Sequence, residues 1–391
     1  MKKLIDLTQE SRKERALIVG LALSSQERWH EIDRLEELAQ LTETAGAEVF
    51  EKIIQIRDKI DPSFYIGRGK AQEIARIVQD FGIDLVVFDC ELSPSQTRNL
   101  EKLLKCKVLD RTEIIMDIFA QHAKTAEAKI QVELAQLRYR LSKLVGRGRE
   151  LSRLGGGIGT RGPGEKKLEE DRFHISRRIR HLERELEKIE RTKEIQRKRR
   201  KEILKVSLVG YTNTGKSSIM NRLTKADVLV EDKLFATLDA TTRIFYIEDM
   251  PKPVVLSDTV GFIEDLPPSL VASFRATLGV VREADLLLHV IDITSSRLSG
   301  RIEIVEKTLE EIGCGDKPLI RVFNKIDLLL DRTAIERLSS EYSDAVFVSA
   351  RSGEGIEELK EVIKNRLLEI FKGLKSKSLS SSKGMFKVAE G

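Results

Sequence analysis

The sequence predicts an α/β protein in three parts. Residues 1–112 read as a small N-terminal parallel-sheet α/β domain, nucleotide-binding-like in pattern. Residues 113–202 read as an α-helical coiled-coil hairpin with a glycine-rich tip, and 203–372 as a doubly wound, mostly parallel-sheet domain of P-loop type. Three observations carry this: short apolar runs alternating with amphipathic stretches, two narrow apolar stripes flanking a glycine cluster, and a strand–glycine loop–helix pattern. The last residues, 373–391, turn to Lys and Ser and are expected to be disordered.

In the first part Ala16–Leu23 is an apolar strand, followed by a helix over Glu31–Thr44 with Ile32, Leu35, Leu38 and Leu41 on one face. Val49–Ile56 alternates as a strand, Lys70–Phe81 is helical, Leu85–Phe88 is a strand, Pro94–Leu104 is helical and Val108–Leu109 is a short strand. Repeated βα units imply a parallel sheet. Gly67-Arg68-Gly69-Lys70 opens one helix and reads as a plain turn more readily than as an anion site.

The middle carries Ile130, Leu134, Leu137, Leu141 and Leu144, and then Ile175, Ile179, Leu182, Leu186 and Ile189, both in 4-3-4-3 spacing. Such seams zip two antiparallel helices. Between them, eight of the nineteen residues in 146–164 are Gly, with Pro163 as a further break. That tip holds Arg147, Arg149, Arg153 and Arg161 against Glu150 alone. Guanidinium groups on a glycine-rich backbone suit close approach to phosphates and stacked bases, so a nucleic-acid contact is favoured here over a flexible linker. Arg191–Lys201 is also basic, and reads equally as a solvated helix end or a phosphate contact.

The third part opens with the apolar run 203–209, then Gly210-Tyr211-Thr212-Asn213-Thr214-Gly215-Lys216-Ser217 and a helical stretch, 218–223. This fits G-x-x-x-x-G-K-[ST], in which backbone N–H groups and a helix N-terminus cradle phosphates. Lys216 would bridge the β- and γ-phosphates and the Ser217 hydroxyl would hold Mg²⁺. Asp258-Thr259-Val260-Gly261 ends the strand 253–257, placing an Asp near the metal and the Gly261 N–H near the γ-phosphate. Asn324-Lys325-Ile326-Asp327 follows the strand 319–323. A buried Asp327 carboxylate would select guanine through N1–H and N2–H₂, with Asn324 on the opposite edge and Ser349-Ala350-Arg351 backing the base. Residues 225–243 lie where a γ-phosphate-sensing switch belongs. Together these predict GTP as substrate.

Composition sets bounds. A chain of 391 residues suffices for two or three domains, and 41% apolar content supports real cores. Charged residues at 34% with aromatics at 5% suit long solvated helices; a net charge of +5 does not by itself call for nucleic acid. Cys90, Cys106 and Cys314 lack metal or C-x-x-C spacing and read as reduced thiols of a cytosolic protein. No signal peptide or membrane span is expected, and at most a loose association with membranes.

With these motifs on one chain, the sequence resembles the HflX family of ribosome-associated GTPases over roughly residues 16–370. The most specific pieces are Gly155–Glu165, Gly210–Ser217 and Leu234–Asp239, joined by Ser93–Leu100 and Asp110-Arg111-Thr112. The resemblance implies a monomer that binds the 50S subunit and its rRNA, not DNA, with the glycine tip towards the peptidyl-transferase region. It implies splitting of stalled or idle ribosomes and ribosome-stimulated GTP hydrolysis. It also places Phe235, Ala236, Thr237, Leu238 and Asp239 in the switch, with Thr237 completing Mg²⁺ coordination beside Ser217 and acting with Lys216 and Gly261 in catalysis. By chemistry alone Thr241 and Thr242 are rivals to Thr237. Asn213 resembles the asparagine of potassium-stimulated GTPases, making K⁺ a second candidate cation. Ala240 stands where the family usually has Pro, and Lys166-Lys167 where it has Thr-Gln. Phe262 follows Gly261 where many GTPases carry a water-orienting Gln, so slow intrinsic hydrolysis is expected. Rival readings are an assembly factor for the large subunit, an ATP-dependent rRNA remodeller and a non-catalytic GTP-dependent scaffold.

Overall fold

Apolar runs too short for helices become strands, and amphipathic runs cover them. The computed structural model describes residues 12–151, 163–198, 203–224, 234–235, 240–265 and 279–386. The chain divides into two units, residues 1–187 and 188–391.

The first unit alternates β1 (Arg15–Ala22), α1 (Arg28–Thr44), β2 (Glu48–Ile56), α2 (Arg68–Phe81), β3 (Leu85–Phe88), α3 (Pro94–Leu104) and β4 (Lys107–Asp110). All four strands are parallel, in the order β2-β1-β3-β4. Leu17, Val19, Ile74, Val86, Phe88 and Leu100 form the core of one layer. Helix starts follow local chemistry. Ser93 caps α3, its hydroxyl accepting from Gln96 N while Ser93 N donates to the Gln96 side chain, with Pro94 opening the helix. Asp110 caps α4 (Arg111–His122) in the same way with Glu113. The Gly67 N–H is taken by Gln55 Oε1 at 2.7 Å.

Helices α5 (Ala126–Leu151) and α6 (Pro163–Lys198) form the hairpin. Leu134, Ile179 and Leu182 are buried between them, with Ile130, Leu137, Leu141 and Ile175 packed alongside. Arg138–Glu183 at 2.8 Å and Arg178–Glu133 at 2.7 Å flank this seam. The glycine-rich tip expected over 146–164 is shorter than its composition suggests. Helix α5 continues through Gly146 and Gly148 to Leu151, putting Arg147 and Arg149 on the helix. Each mid-helix glycine costs about 1 kcal/mol, which the surrounding Leu, Arg and Glu tolerate. Arg153 and Arg161 lie outside the described residues.

The second unit holds β5 (Leu204–Val209), α7 (Lys216–Thr224), β6 (Thr241–Phe245), β7 (Val254–Asp258), α8 (Gly279–Glu283), β8 (Leu286–Asp292) and α9 (Leu298–Glu311). It continues with β9 (Leu319–Asn324), α10 (Thr333–Glu341), β10 (Ala345–Phe347) and α11 (Ile356–Phe386). The sheet order is β10-β9-β8-β5-β7-β6, parallel throughout except for the antiparallel edge strand β6. Strand order reverses beside β5, the place where open α/β sheets bind ligands. The tail expected as disordered from 373 instead continues α11 to Phe386, with no proline to interrupt it; residues 387–391 lie outside the described residues.

Two carboxyls of the first unit are held above their ordinary range. Burial pushes Glu31 from 4.5 to about 7, helped by neighbouring Asp89. Burial raises Glu113 from 4.5 to about 7, helped by Asp110. Each binds its proton more tightly folded than unfolded. The stability this gives is complete below about pH 4.5 and lost as pH rises through 7, on the order of 2–3 kcal/mol per group. Chemical unfolding of the Glu31→Gln, Glu113→Gln variant should therefore show a flatter stability profile between pH 5 and 8 than the parent; an unchanged slope refutes the assignment.

Candidate functional site

The loops leaving β5, β7, β9 and β10 meet along one edge of the second sheet. The loop Gly210–Ser217 leaves β5 and turns into α7. Gly215, at φ 90°, passes so close to β9 that a Cβ would lie 2.3 Å from Asn324 Nδ2. Asn213 is exposed at φ 58°, a left-handed conformation that asparagine tolerates. Thr214 Oγ1 donates to Tyr211 O at 3.1 Å, and the buried Thr212 hydroxyl has no hydrogen bond among the described residues. Tyr211 is buried, its ring under the Arg301 guanidinium at 4.8 Å and its hydroxyl accepting from Glu264 N at 2.9 Å.

Lys216 is folded back onto this loop. Its Nζ donates to Tyr211 O at 2.7 Å and Gly210 O at 3.2 Å. Burial lowers its pKa to about 8, with Asp258 opposing the shift. Ser217 Oγ donates to Asp258 Oδ2 at 2.5 Å, so the hydroxyl of the loop and the carboxylate ending β7 converge. Oxygen donors of this kind suit Mg²⁺. Thr259 Oγ1 donates to Leu208 O at 2.7 Å, and Val260 is buried.

The segment after Val260 lies across the phosphate loop. Phe262 N donates to Gly210 O at 3.0 Å, and Thr212 N donates to Phe262 O at 2.8 Å. Phe262 is 1% exposed. Gly261 packs so tightly that a Cβ would lie 2.8 Å from Thr212 Cα and 3.0 Å from Lys216 Nζ.

The other side of the site is knitted by Asn324. Its Nδ2 donates to Thr214 O at 2.9 Å, and its Oδ1 accepts from Ala350 N at 3.0 Å. Lys325, at φ 70°, reaches Asp292 Oδ2 with its Nζ at 2.7 Å. Ile326 packs in a small apolar cluster with Phe323 and Leu338. Asp327, expected to be buried, is exposed; its Oδ1 accepts from Ser349 Oγ at 2.6 Å. It stands on a short 3₁₀ turn at the open rim, so the face a base would cover is solvent-facing here. Arg351 is exposed.

Of the switch residues, Phe235 is buried at φ 58°, and Ala236, Thr237, Leu238 and Asp239 lie outside the described residues. Thr242 shares a 2.8 Å hydrogen bond with Ser257, and Thr241 stands opposite Asp258 in register.

Sequence reasoning passes over two contributors. Strand β8 supplies Asp292, and its Val290 carbonyl packs against Gly210, where a Cβ would lie 2.2 Å away. The apolar run Leu286–Ile291, broken only by His289, is a readable signal for it. His289 is fully buried, which pulls its pKa down to about 3. Arg222 on α7 is the other contributor: its Nε donates to Ala350 O at 2.7 Å, and its guanidinium also reaches the carbonyl of Arg351. No local motif marks it, since its partners lie far along the chain.

Comparison with known proteins follows this geometry. Three domain families match: a GTP-binding GTPase N-terminal region over residues 32–120, a GTP-binding GTPase middle region over 122–200, and a 50S ribosome-binding GTPase over 205–325. The chain is 48% identical over 359 residues to a GTPase HflX of Caldanaerobacter subterraneus, covering 91% of this chain and 81% of that protein. It is 46% identical over 340 residues to the GTPase HflX of Escherichia coli, covering 86% and 80%. Among solved structures it resembles SsGBP in complex with GDP, at 30% identity and a TM-score of 0.51, covering 91% of this chain and 99% of that one.

Arg222 fixes the two carbonyls that follow the Ala350 N–H. Arg222→Ala should raise the Kd for GDP about tenfold, roughly 1.4 kcal/mol, with little change in thermal stability. Fluorescent-GDP titration reads this, and an unaltered Kd rules the role out.

Proposed function

Because the chain belongs to the HflX family of GTPases and hydrolyses GTP, we propose that it binds the large ribosomal subunit and uses the nucleotide to separate stalled or idle ribosomes. The observation that carries partner dependence is Phe262. It is buried against the phosphate loop, and its side chain has no group that could orient water. A bound partner, here the ribosome, supplies or arranges the missing group. The description of the third domain family as a 50S ribosome-binding GTPase supports this choice of partner. The basic tip, with Arg147, Arg149, Arg153 and Arg161, is proposed as the rRNA contact, and the cytoplasm as the place of action.

The residues present fit Mg²⁺. Ser217 Oγ would hold it directly, Asp258 would orient the water around it, and Thr237 would complete the set; bound there, the ion neutralises charge on the β- and γ-phosphates. Lys216 Nζ exchanges the carbonyls of Gly210 and Tyr211 for phosphate oxygens. The N–H groups of Asn213–Ser217 cradle the phosphates, and the Gly261 N–H reports the γ-phosphate once Phe262 lifts from the loop. Asp327 accepts from the guanine N1–H and N2–H₂, and Asn324 and Ala350 serve the other edge. Asn213 is proposed to accept K⁺.

Light scattering of intact 70S ribosomes tests the central proposal. Splitting is expected with GTP and with a non-hydrolysable analogue, and not with GDP. Equal activity in all three states, or none on mature ribosomes, defeats it, and the latter result favours a role in subunit assembly. Turnover provides a second test. The protein alone should hydrolyse GTP slowly, 50S subunits should accelerate it at least tenfold, and K⁺ should exceed Na⁺ in supporting it. Fast turnover without subunits removes the case for partner dependence, and equal rates in the two salts remove the role of Asn213.

A further inference from the structure

The hydroxyls around the phosphate loop are mostly committed. Thr214 Oγ1 donates to Tyr211 O at 3.1 Å, Ser217 Oγ to Asp258 Oδ2 at 2.5 Å, and Thr259 Oγ1 to Leu208 O at 2.7 Å. The Tyr211 hydroxyl accepts from Glu264 N at 2.9 Å. Thr212 differs. It is 4% exposed, and its Oγ1 has no hydrogen-bond partner among the described residues. A hydroxyl shut away from water without a partner destabilises the chain that carries it, and valine would fill the same space without that cost. Such a group calls for a ligand or a task.

Backbone contacts fix where this side chain lies. Thr212 N donates to Phe262 O at 2.8 Å and Phe262 N to Gly210 O at 3.0 Å, so residues 261–262 run alongside the loop at Thr212. A Cβ built on Gly261 would meet Thr212 Cα and Cγ2, each at 2.8 Å, and Lys216 Nζ at 3.0 Å. The Thr212 side chain and the lysine ammonium therefore converge on one point beside Gly261. In a loop of this kind the lysine reaches the β- and γ-phosphates, so that point belongs to the γ-phosphate end of the site. Phe262 brings no polar side-chain group to the segment. When residues 261–262 lift, Thr212 is uncovered where phosphate oxygens and the attacking water arrive.

We propose that Thr212 is a catalytic residue for GTP hydrolysis. Its hydroxyl donates to a γ-phosphate oxygen and accepts a hydrogen bond from the attacking water; one group serves both because a hydroxyl carries a donor and two acceptor lone pairs. The water oxygen bonds to the γ-phosphorus as the bond from that phosphorus to the bridging oxygen breaks, the electron pair staying with GDP. The proton that the water loses ends on the released phosphate, and Thr212 is left unchanged. A hydrogen bond to an anion is stronger than one between neutral groups, so a bound γ-phosphate favours the uncovered hydroxyl, and GDP lacks that acceptor. This role rests on the opening of residues 261–262 set out above, with the partner arranging a group that the chain itself supplies; it does not require that partner to be the ribosome.

Single-turnover hydrolysis of radiolabelled GTP by an excess of the full chain, without ribosomal subunits, tests it. Thr212→Val keeps the shape and removes the hydroxyl, Thr212→Ala removes hydroxyl and methyl, and Thr212→Ser keeps the hydroxyl. Thr212→Val and Thr212→Ala should each slow the chemical step about tenfold or more, and Thr212→Ser should stay within about threefold of the parent. GDP affinity should be unchanged in all three. The unfolding midpoint of the GDP-bound Thr212→Val protein should equal or exceed the parent's, since a buried unpaired hydroxyl is removed. Parental turnover in Thr212→Val overturns the role, as does Thr212→Ser turnover as slow as that of Thr212→Val. If Thr212→Val is slow and Thr212→Ala is not, packing against Gly261 is responsible and the assignment falls. A matched loss of GDP affinity also overturns it, because the hydroxyl then serves the loop and not the γ-phosphate. With subunits absent, a failure of ribosome splitting leaves these outcomes untouched.

Discussion

One side-chain amide holds the nucleotide site together. Asn324 ends β9 and spans from the Thr214 carbonyl to the Ala350 N–H. In doing so it fixes the phosphate loop, its own strand end and the loop after β10 in one arrangement. Both contacts are buried, so neither backbone group has water as an alternative, and loss of either would leave a polar group costing about 1–3 kcal/mol. The close approach of Gly215 to the same amide is a consequence: nothing larger than hydrogen fits where the loop passes over it. Arg222 then secures the far side by holding the carbonyls of residues 350 and 351.

Most polar groups of the site already have partners within it, the buried Thr212 hydroxyl being an exception among the described residues. Lys216 uses two loop carbonyls, Ser217 uses Asp258, Thr212 N and Phe262 N use each other's segments, and Asp327 uses Ser349. Nucleotide binding at such a place is an exchange of partners, and its net strength is the difference between two sets of hydrogen bonds. The strongest competitor is the segment 261–262, because Gly261 already packs beside Lys216 Nζ where the phosphate-binding lysine must reach outward. On the proposed function, displacing that segment would couple the chemistry of the γ-phosphate to a movement large enough for a partner to sense.

Much of this is legible in the sequence, for reasons that differ by element. The phosphate loop, Asp258–Gly261 and Asn324–Asp327 are readable because each is a contiguous motif at the end of an apolar strand, so local spacing carries the tertiary consequence. The hairpin is readable because its apolar period repeats over several turns, and Leu134, Ile179 and Leu182 meet as that period requires. Arg222 is not readable: its partners lie some 128 residues along the chain, and the exposed face of a helix gives no sign of them. The exposure of Asp327 follows from the 3₁₀ turn that lifts it, which no residue pattern marks. Gly146 and Gly148 mislead in the other direction, since composition overstates how readily glycine ends a helix whose neighbours favour it.

The two sheets share a parallel, doubly wound logic, yet only the second keeps its carboxyl edge open. In the first unit the corresponding crevice lies between β1 and β3, and it is filled from within. Asp89, almost fully buried, is held by Arg34 at 2.7 Å and Arg111 at 2.8 Å, and Arg111 also pairs with Glu37. Glu31 accepts from Leu21 N and sits where a Cβ on Gly20 would lie, 2.5 Å from its Oε1. A phosphate entering there would meet the Asp89 carboxylate and the Glu31 carboxyl and break a neutralised cluster, leaving buried charge without its partner, which costs several kcal/mol. That weighs against nucleotide chemistry in this crevice, and with it against the reading of the chain as an ATP-driven remodeller. The same parallel topology thus reaches two different outcomes through the side chains placed at the ends of β1, β3 and β5.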